Sequence, residues 1–149
     1  MTFLPQKSKV FLCVLLLFSE AHIFGLSNDN ATLKYIKSDR CYKEIEGMPR
    51  VLIVQTNNSL GGIRSNTIAL YQGLLEAGVG VSILVPDQTP IYTDLLKAKL
   101  PMYVLPGRSE YYFCKNKRYA DTLLSAVLKI YKIKKFDAIH VNLNKKVEP

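Results

Sequence analysis

Two apolar, largely β-branched runs, VLIV at positions 51–54 and VGVSILV at 79–85, restrict this chain more than any other feature of it. Neither shows the alternation of a strand with one wet face, so each reads as a strand covered on both sides, as in a parallel sheet. Between them lie the polar turn QTNNSLGG at 55–62 and a helical stretch over 63–77. Ile63, Thr67, Leu70, Leu74 and Ala77 fall on one stripe of that helix and are expected to face the core. Gly78 follows where a helix ends in left-handed backbone, and Pro86 stops the second strand. Strand, turn, helix and strand make one βαβ unit, whose crossover is right-handed in nearly all proteins.

The alternation continues. A weaker helix is expected over 91–100, a short strand over 102–105, and a loop at Pro106-Gly107. After an irregular, tyrosine-rich stretch, a longer helix over 119–134 places Leu123, Leu124, Val127, Ile130 and Tyr131 inward. FDAIHV at 136–141 is a fourth strand. The fold class is therefore α/β, a partial doubly wound parallel sheet of the Rossmann-like kind. With 149 residues there is room for one domain with a real core. Four strands are half of a typical doubly wound sheet, so residues 50–149 are expected to be an incomplete Rossmann-like domain.

The residues before this domain differ in character. Lys7 and Lys9 precede an apolar run over 10–18, and Ser19 and Ala21 offer small residues for cleavage. Residues 1–26 thus have the layout of a signal peptide or a weak membrane anchor, which would direct the chain to the secretory pathway or a membrane. Residues 27–49 are polar and without period, and read as a linker with a short helix around 33–36. Met48 just before the first strand offers a rival start, which would make the protein cytoplasmic. Cys41 and Cys114 are too isolated to assign a pairing, and Cys13 sits inside the apolar run. Asn30 and Asn57 fit the N-glycosylation pattern, a short motif of low weight.

The net charge of +8 has local sources: Lys115, Lys117 and Arg118; Lys129, Lys132, Lys134 and Lys135; Lys145 and Lys146. No recognition helix or aromatic-studded basic sheet accompanies them, so nucleic acid is not expected as a partner. A solvated basic face is the simpler reading, with anionic lipid or phosphorylated ligands second. No His/Cys spacing suits a metal, and no nucleophile with a base or paired carboxylates can be assembled, so no catalytic residue and no cofactor is assigned. His140 reads as a core histidine within an apolar strand.

Ligands of open α/β sheets gather at the carboxyl ends of the strands. The turn at 55–62 lies there, ahead of a helix N-terminus whose free N–H groups favour anions. Gly61 and Gly62 let a ligand approach the backbone, or serve a tight turn; Asn58 offers an amide, and Arg64 a forked cation. The spacing fits neither the dinucleotide fingerprint nor the P-loop. Asn58, Gly61, Gly62 and Arg64 are the candidate binding residues.

In order along the chain, strand–GGI at 61–63–helix, LLEAG at 74–78 running into VGVSILV, and FDAIHVN at 136–142 resemble the N-terminal domain of GT-B-fold glycosyltransferases of the family 4 type. The resemblance covers 50–144. It implies a domain on the acceptor side of a cleft, with Gly61 and Gly62 close to the donor diphosphate and acceptor, and a structural role for His140. It further implies sugar transfer from a nucleotide-sugar donor to a lipid or saccharide acceptor, the donor being held by a C-terminal domain, so that this chain alone is not expected to be active. The chain departs from the family at Arg64 and Ser65, at Gly80 and at Asn142, where the family often has an acidic residue then arginine, a histidine, and a second histidine. The alternative is a non-catalytic Rossmann-like module that binds a phosphorylated or sugar ligand.

Overall fold

The computed structural model describes residues 33–55, 62–107 and 117–142. They form β1 (Lys34–Ile36), β2 (Arg50–Gln55), α1 (Gly62–Glu76), β3 (Gly80–Pro86), α2 (Pro90–Lys97), β4 (Met102–Leu105), α3 (Lys117–Ile133) and β5 (Ala138–Asn142). The sheet has five strands in the order β1-β4-β3-β2-β5. β4, β3, β2 and β5 run parallel, and β1 is antiparallel to β4. The domain is thus α/β with a mostly parallel, Rossmann-like sheet, its parallel strands in the order third, second, first, fourth.

Successive side chains of each strand enter different layers. Ile53, Val81, Ile83, Val85, Met102 and Val104 pack with Tyr71 and Leu75 of α1 and Ile91 and Leu95 of α2. Leu52, Val54, Leu84, Tyr103 and Leu105 pack on the other face with Leu123, Ala126, Val127 and Ile130 of α3. Burying each such aliphatic side chain contributes roughly 1.5–3 kcal/mol, so covering both faces of β2 and β3 is the main driving force of the fold.

The helices follow the expected order with one change of face. In α1 the buried residues are Thr67, Tyr71 and Leu75, whereas Ile63 and Leu70 are about half exposed and Ala77 is exposed. The stripe is rotated by about one residue from that expected, because Tyr71 enters the core. Its ring is buried, and its hydroxyl donates to the Pro101 carbonyl oxygen, satisfying the polar tip that would oppose burial. In α3 Leu123, Val127 and Ile130 are buried as expected, while Tyr131 stays half exposed, set edge-on to Phe136. Leu100 lies beyond the end of α2 but is buried.

Residues 33–49 correct the reading as a linker with a short helix. β1 pairs with the free edge of β4, Tyr35 opposite Tyr103, their ring centroids 4.8 Å apart. Three residues carry too little periodicity to separate strand from helix, and the unpaired edge of β4 decides in favour of pairing. The following segment is tied down as well. Ser38 donates its hydroxyl to the Lys99 carbonyl, the Ile45 amide donates to the Gly78 carbonyl, and Glu44 meets both Arg50 and Lys134. At the start of β5, Asp137 accepts a hydrogen bond from the Arg50 amide at 2.9 Å and donates its own amide back to the Arg50 carbonyl.

α1 and α2 end in the same way. Gly78 and Val79 donate to the Leu75 and Leu74 carbonyls, and Lys99 and Leu100 to those of Leu96 and Leu95, the two bonds of a Schellman motif. The left-handed residue is glycine in one case (Gly78, φ 77°) and lysine in the other (Lys99, φ 55°). A Cβ at Gly78 would also stand 2.6 Å from the Ile45 side chain. Left-handed backbone costs a substituted residue roughly 1–2 kcal/mol, and overpacking adds roughly 1–3 kcal/mol. Gly78→Ala is therefore expected to destabilise the protein by about 2–4 kcal/mol and Lys99→Gly to stabilise it by roughly 0.5–1 kcal/mol. Urea unfolding of both variants measures this; equal effects at the two sites would contradict it.

Burial, reinforced by Tyr35, Tyr42 and Tyr103, holds the Tyr71 phenol well above its ordinary range, and burial raises Tyr35 and Tyr103 too. Below about pH 10 these phenols keep their protons in both states. Above it they ionise in the unfolded chain first, so the unfolded state holds fewer protons and stability falls as pH rises. The urea midpoint is expected to be lower at pH 11 than at pH 9, with phenolate absorbance appearing as the protein unfolds. Phenolate absorbance from Tyr71 in a fully folded protein would contradict this.

Candidate functional site

The strand order reverses at β2. β3 and β4 lie on one side of it, β5 on the other, so the carboxyl ends of β2 and β5 flank a topological switch point, where open α/β sheets leave a crevice. β2 ends there in Gln55, β5 in Asn142, and the two residues are register partners. α1 begins nearby at Gly62. β5 shows His140 and Asn142 on the face that also carries Ile53 and Gln55, the face on which α1 packs.

Four side chains form a directional chain of hydrogen bonds here. The Thr67 hydroxyl donates to the Ile63 carbonyl at 2.9 Å. With its proton so used, Thr67 Oγ1 accepts from Asn142 Nδ2 at 3.2 Å. Asn142 Nδ2 also donates to Gln55 Oε1 at 2.7 Å. The amide orientation of Asn142 is thereby fixed, and its Oδ1 lies 2.8 Å from His140 Nε2. Gln55 and Thr67 are buried, at 1% and 6% exposure, while His140 is exposed. Buried amides and hydroxyls are stable only when bonded, so the chain ties β5 to β2 and to the second turn of α1.

His140 therefore departs from the core-histidine reading. The apolar residues around it in sequence suggest burial, but Ile139 packs on the α3 side of the sheet, whereas His140 lies on the α1 side, where α1 and α2 bury β2, β3 and β4. Its side of β5 stays open.

The other candidates stand as follows. Asn58 and Gly61 lie outside the described residues, as do residues 1–26, Cys13, Cys114, Asn30 and Asn57. Gly62 opens α1 with no positive φ, and among the described residues no atom comes within 4 Å of where a Cβ would sit. Arg64 does not stand free: its Nε is 2.9 Å from Asp94 Oδ2 of α2, an ion pair without hydrogen-bond alignment. Gln55, Thr67 and Asp137 were not legible as partners, although a glutamine directly after VLIV was a signal for Gln55.

A separate hollow of about 230 Å³ is lined by Tyr35, Tyr42 and Tyr71, by the segment from 37 to 44, and by the first residues of β3 and β4. It lies at the amino ends of these strands, opposite the switch point. No group of three or more His, Cys, Asp or Glu among the described residues is placed to hold a metal, and no described helix is long and apolar enough to cross a membrane.

Fold and site together define an open α/β domain with a polar switch-point wall. Compared with protein-family models, curated proteins and solved structures, the chain matches none.

Replacing Asn142 by leucine removes the donor to both Gln55 and Thr67. A net intramolecular hydrogen bond contributes about 0.5–1.5 kcal/mol, so losing both is expected to make Asn142→Leu less stable by about 1–3 kcal/mol. It is also expected to speed amide exchange in β5 more than in β3. Equal protection in β5 before and after the change would show that the chain does not hold this strand.

Proposed function

We propose that this chain supplies the acceptor-side domain of a GT-B-type glycosyltransferase, acting with a donor-binding domain to move a sugar from a nucleotide sugar to a lipid or saccharide acceptor. The observation that carries the reading is the meeting, at one switch point, of the helix that Gly62 opens with the polar end of β5, through Thr67 and Asn142. Those are the GGI and FDAIHVN segments on which the family resemblance rests. Their placement supports a ligand-facing wall, since ligands of open α/β sheets collect there.

In the described wall the exposed imidazole of His140 and the half-buried amide of Asn142 are suited to orienting an acceptor, and the buried Gln55 and Thr67 hold them in place. Catalysis in such a site depends on closure of two domains that exclude water, so the wall by itself is a positioning surface. The alternative, a binding module without chemistry, draws on the same wall and on the pairing of Asp94 with Arg64, which leaves that carboxylate engaged.

Gly62 separates a steric role from a ligand role. A Cβ there meets nothing among the described residues, and alanine is the better helix former by up to about 1 kcal/mol. Gly62→Ala is expected to leave stability unchanged or slightly higher while weakening saccharide binding, read by calorimetry or by amide shifts of α1. A loss of stability with saccharide binding intact would assign the glycine to the turn and remove the support for this reading. Turnover of a nucleotide sugar by the chain unaided would contradict the division of labour between two domains.

A further inference from the structure

Resting on that reading, we infer that the wall takes a neutral, hydroxyl-bearing ligand rather than a phosphorylated one, and that His140 contacts it as a hydrogen-bond acceptor through Nδ1. The Ile63 carbonyl can only accept. It takes the Thr67 proton, so Thr67 Oγ1 can only accept from Asn142. Asn142 must then turn its NH₂ inward and its Oδ1 towards His140. A carbonyl oxygen accepts, so His140 Nε2 carries the hydrogen. In the neutral ring the other nitrogen is an acceptor. Nδ1 has no hydrogen-bond partner among the described residues, and His140 is exposed on the open face of β5.

A lone pair held in this way suits a ligand hydroxyl, which can donate, and opposes the oxygens of a phosphomonoester, which above its second pKa of about 6 only accept. The charges around α1 act in the same sense. Arg64, the cation in its first turn, is paired with Asp94 at 2.9 Å, which offsets the attraction for a second anion. These groups thus recognise the hydroxyls of a saccharide or polyol.

The test is imidazole and amide NMR on the full chain, with glucose, N-acetylglucosamine and methyl phosphate as probes. The expected result is an Nε2–H tautomer for His140 at neutral pH, with saccharide moving the Nδ1 resonance and phosphate at the same concentration leaving it in place. His140→Phe, at an exposed position, is expected to keep the melting temperature and weaken saccharide binding about three- to tenfold, the share of one neutral hydrogen bond. An Nδ1–H tautomer, or a shift of Nδ1 by phosphate and not by saccharide, overturns the inference. If saccharide moves the Gly62 and Ile63 amides but not His140, the inference fails while the proposed function stands. If it moves neither, both fail.

Discussion

The structure depends on the need to cover β2 and β3 from both sides. Leu52, Ile53, Val54, Ile83, Leu84 and Val85 are each no more than 2% exposed, although they point alternately to opposite faces. Helices on a single face would leave half of these side chains in water. α1 and α2 cover one face as the chain steps from β2 to β3 to β4. α3 covers the other, and with right-handed crossovers a helix on that face returns the chain to the far side of β2. The reversal of strand order, and with it the switch point, follows from burying the central strands.

This same requirement explains the polar wall. An apolar strand that ends inside the domain must carry its last residues to where the chain can turn. In β2 that residue is Gln55, still 1% exposed. Its amide is satisfied in part by Asn142 across the register, and Asn142 is held in turn by Thr67. Groups needed to end β2 without an unsatisfied amide are thereby aligned at the mouth of the crevice. One set of bonds thus ends β2 and fixes the direction of the amides that follow it.

Much of this was legible in the sequence. The parallel strands, the helices between them, the Gly78 stop and the inward face of α3 follow from runs and periods long enough to be unambiguous. β1 was not legible, because three residues have no period and its existence depends on the edge of β4, far along the chain. The face of α1 was displaced because Tyr71 counts as half polar in a pattern, while the structure gives its hydroxyl a carbonyl partner. His140 looked buried because its neighbours are apolar. Whether a face is covered depends on which helix lies over it, and a strand's own residues do not record that. Of the candidate binding residues, Gly62 and Arg64 fall beside the switch point, but only the three-dimensional pairing reveals that Arg64 is engaged.

That pairing changes the electrostatic reading of the site. An arginine in the first turn of a helix faces the positive end of the macrodipole and is disfavoured there. Asp94 relieves this, and places a carboxylate close to a pole that would otherwise attract an anionic ligand. The pair is partly exposed, so it contributes at most about 1 kcal/mol to stability. Its larger effect is on what the crevice can bind. A chain with a net charge of +8 would attract anions at many places on its surface. At the carboxyl end of β2, the described arrangement offsets that attraction with one ion pair and lines the wall with uncharged donors and acceptors. The overall charge of the protein and the local polarity at the carboxyl end of β2 therefore differ, because Arg64 is paired with Asp94 there and the side chains around Asn142 are amides, a hydroxyl and an imidazole.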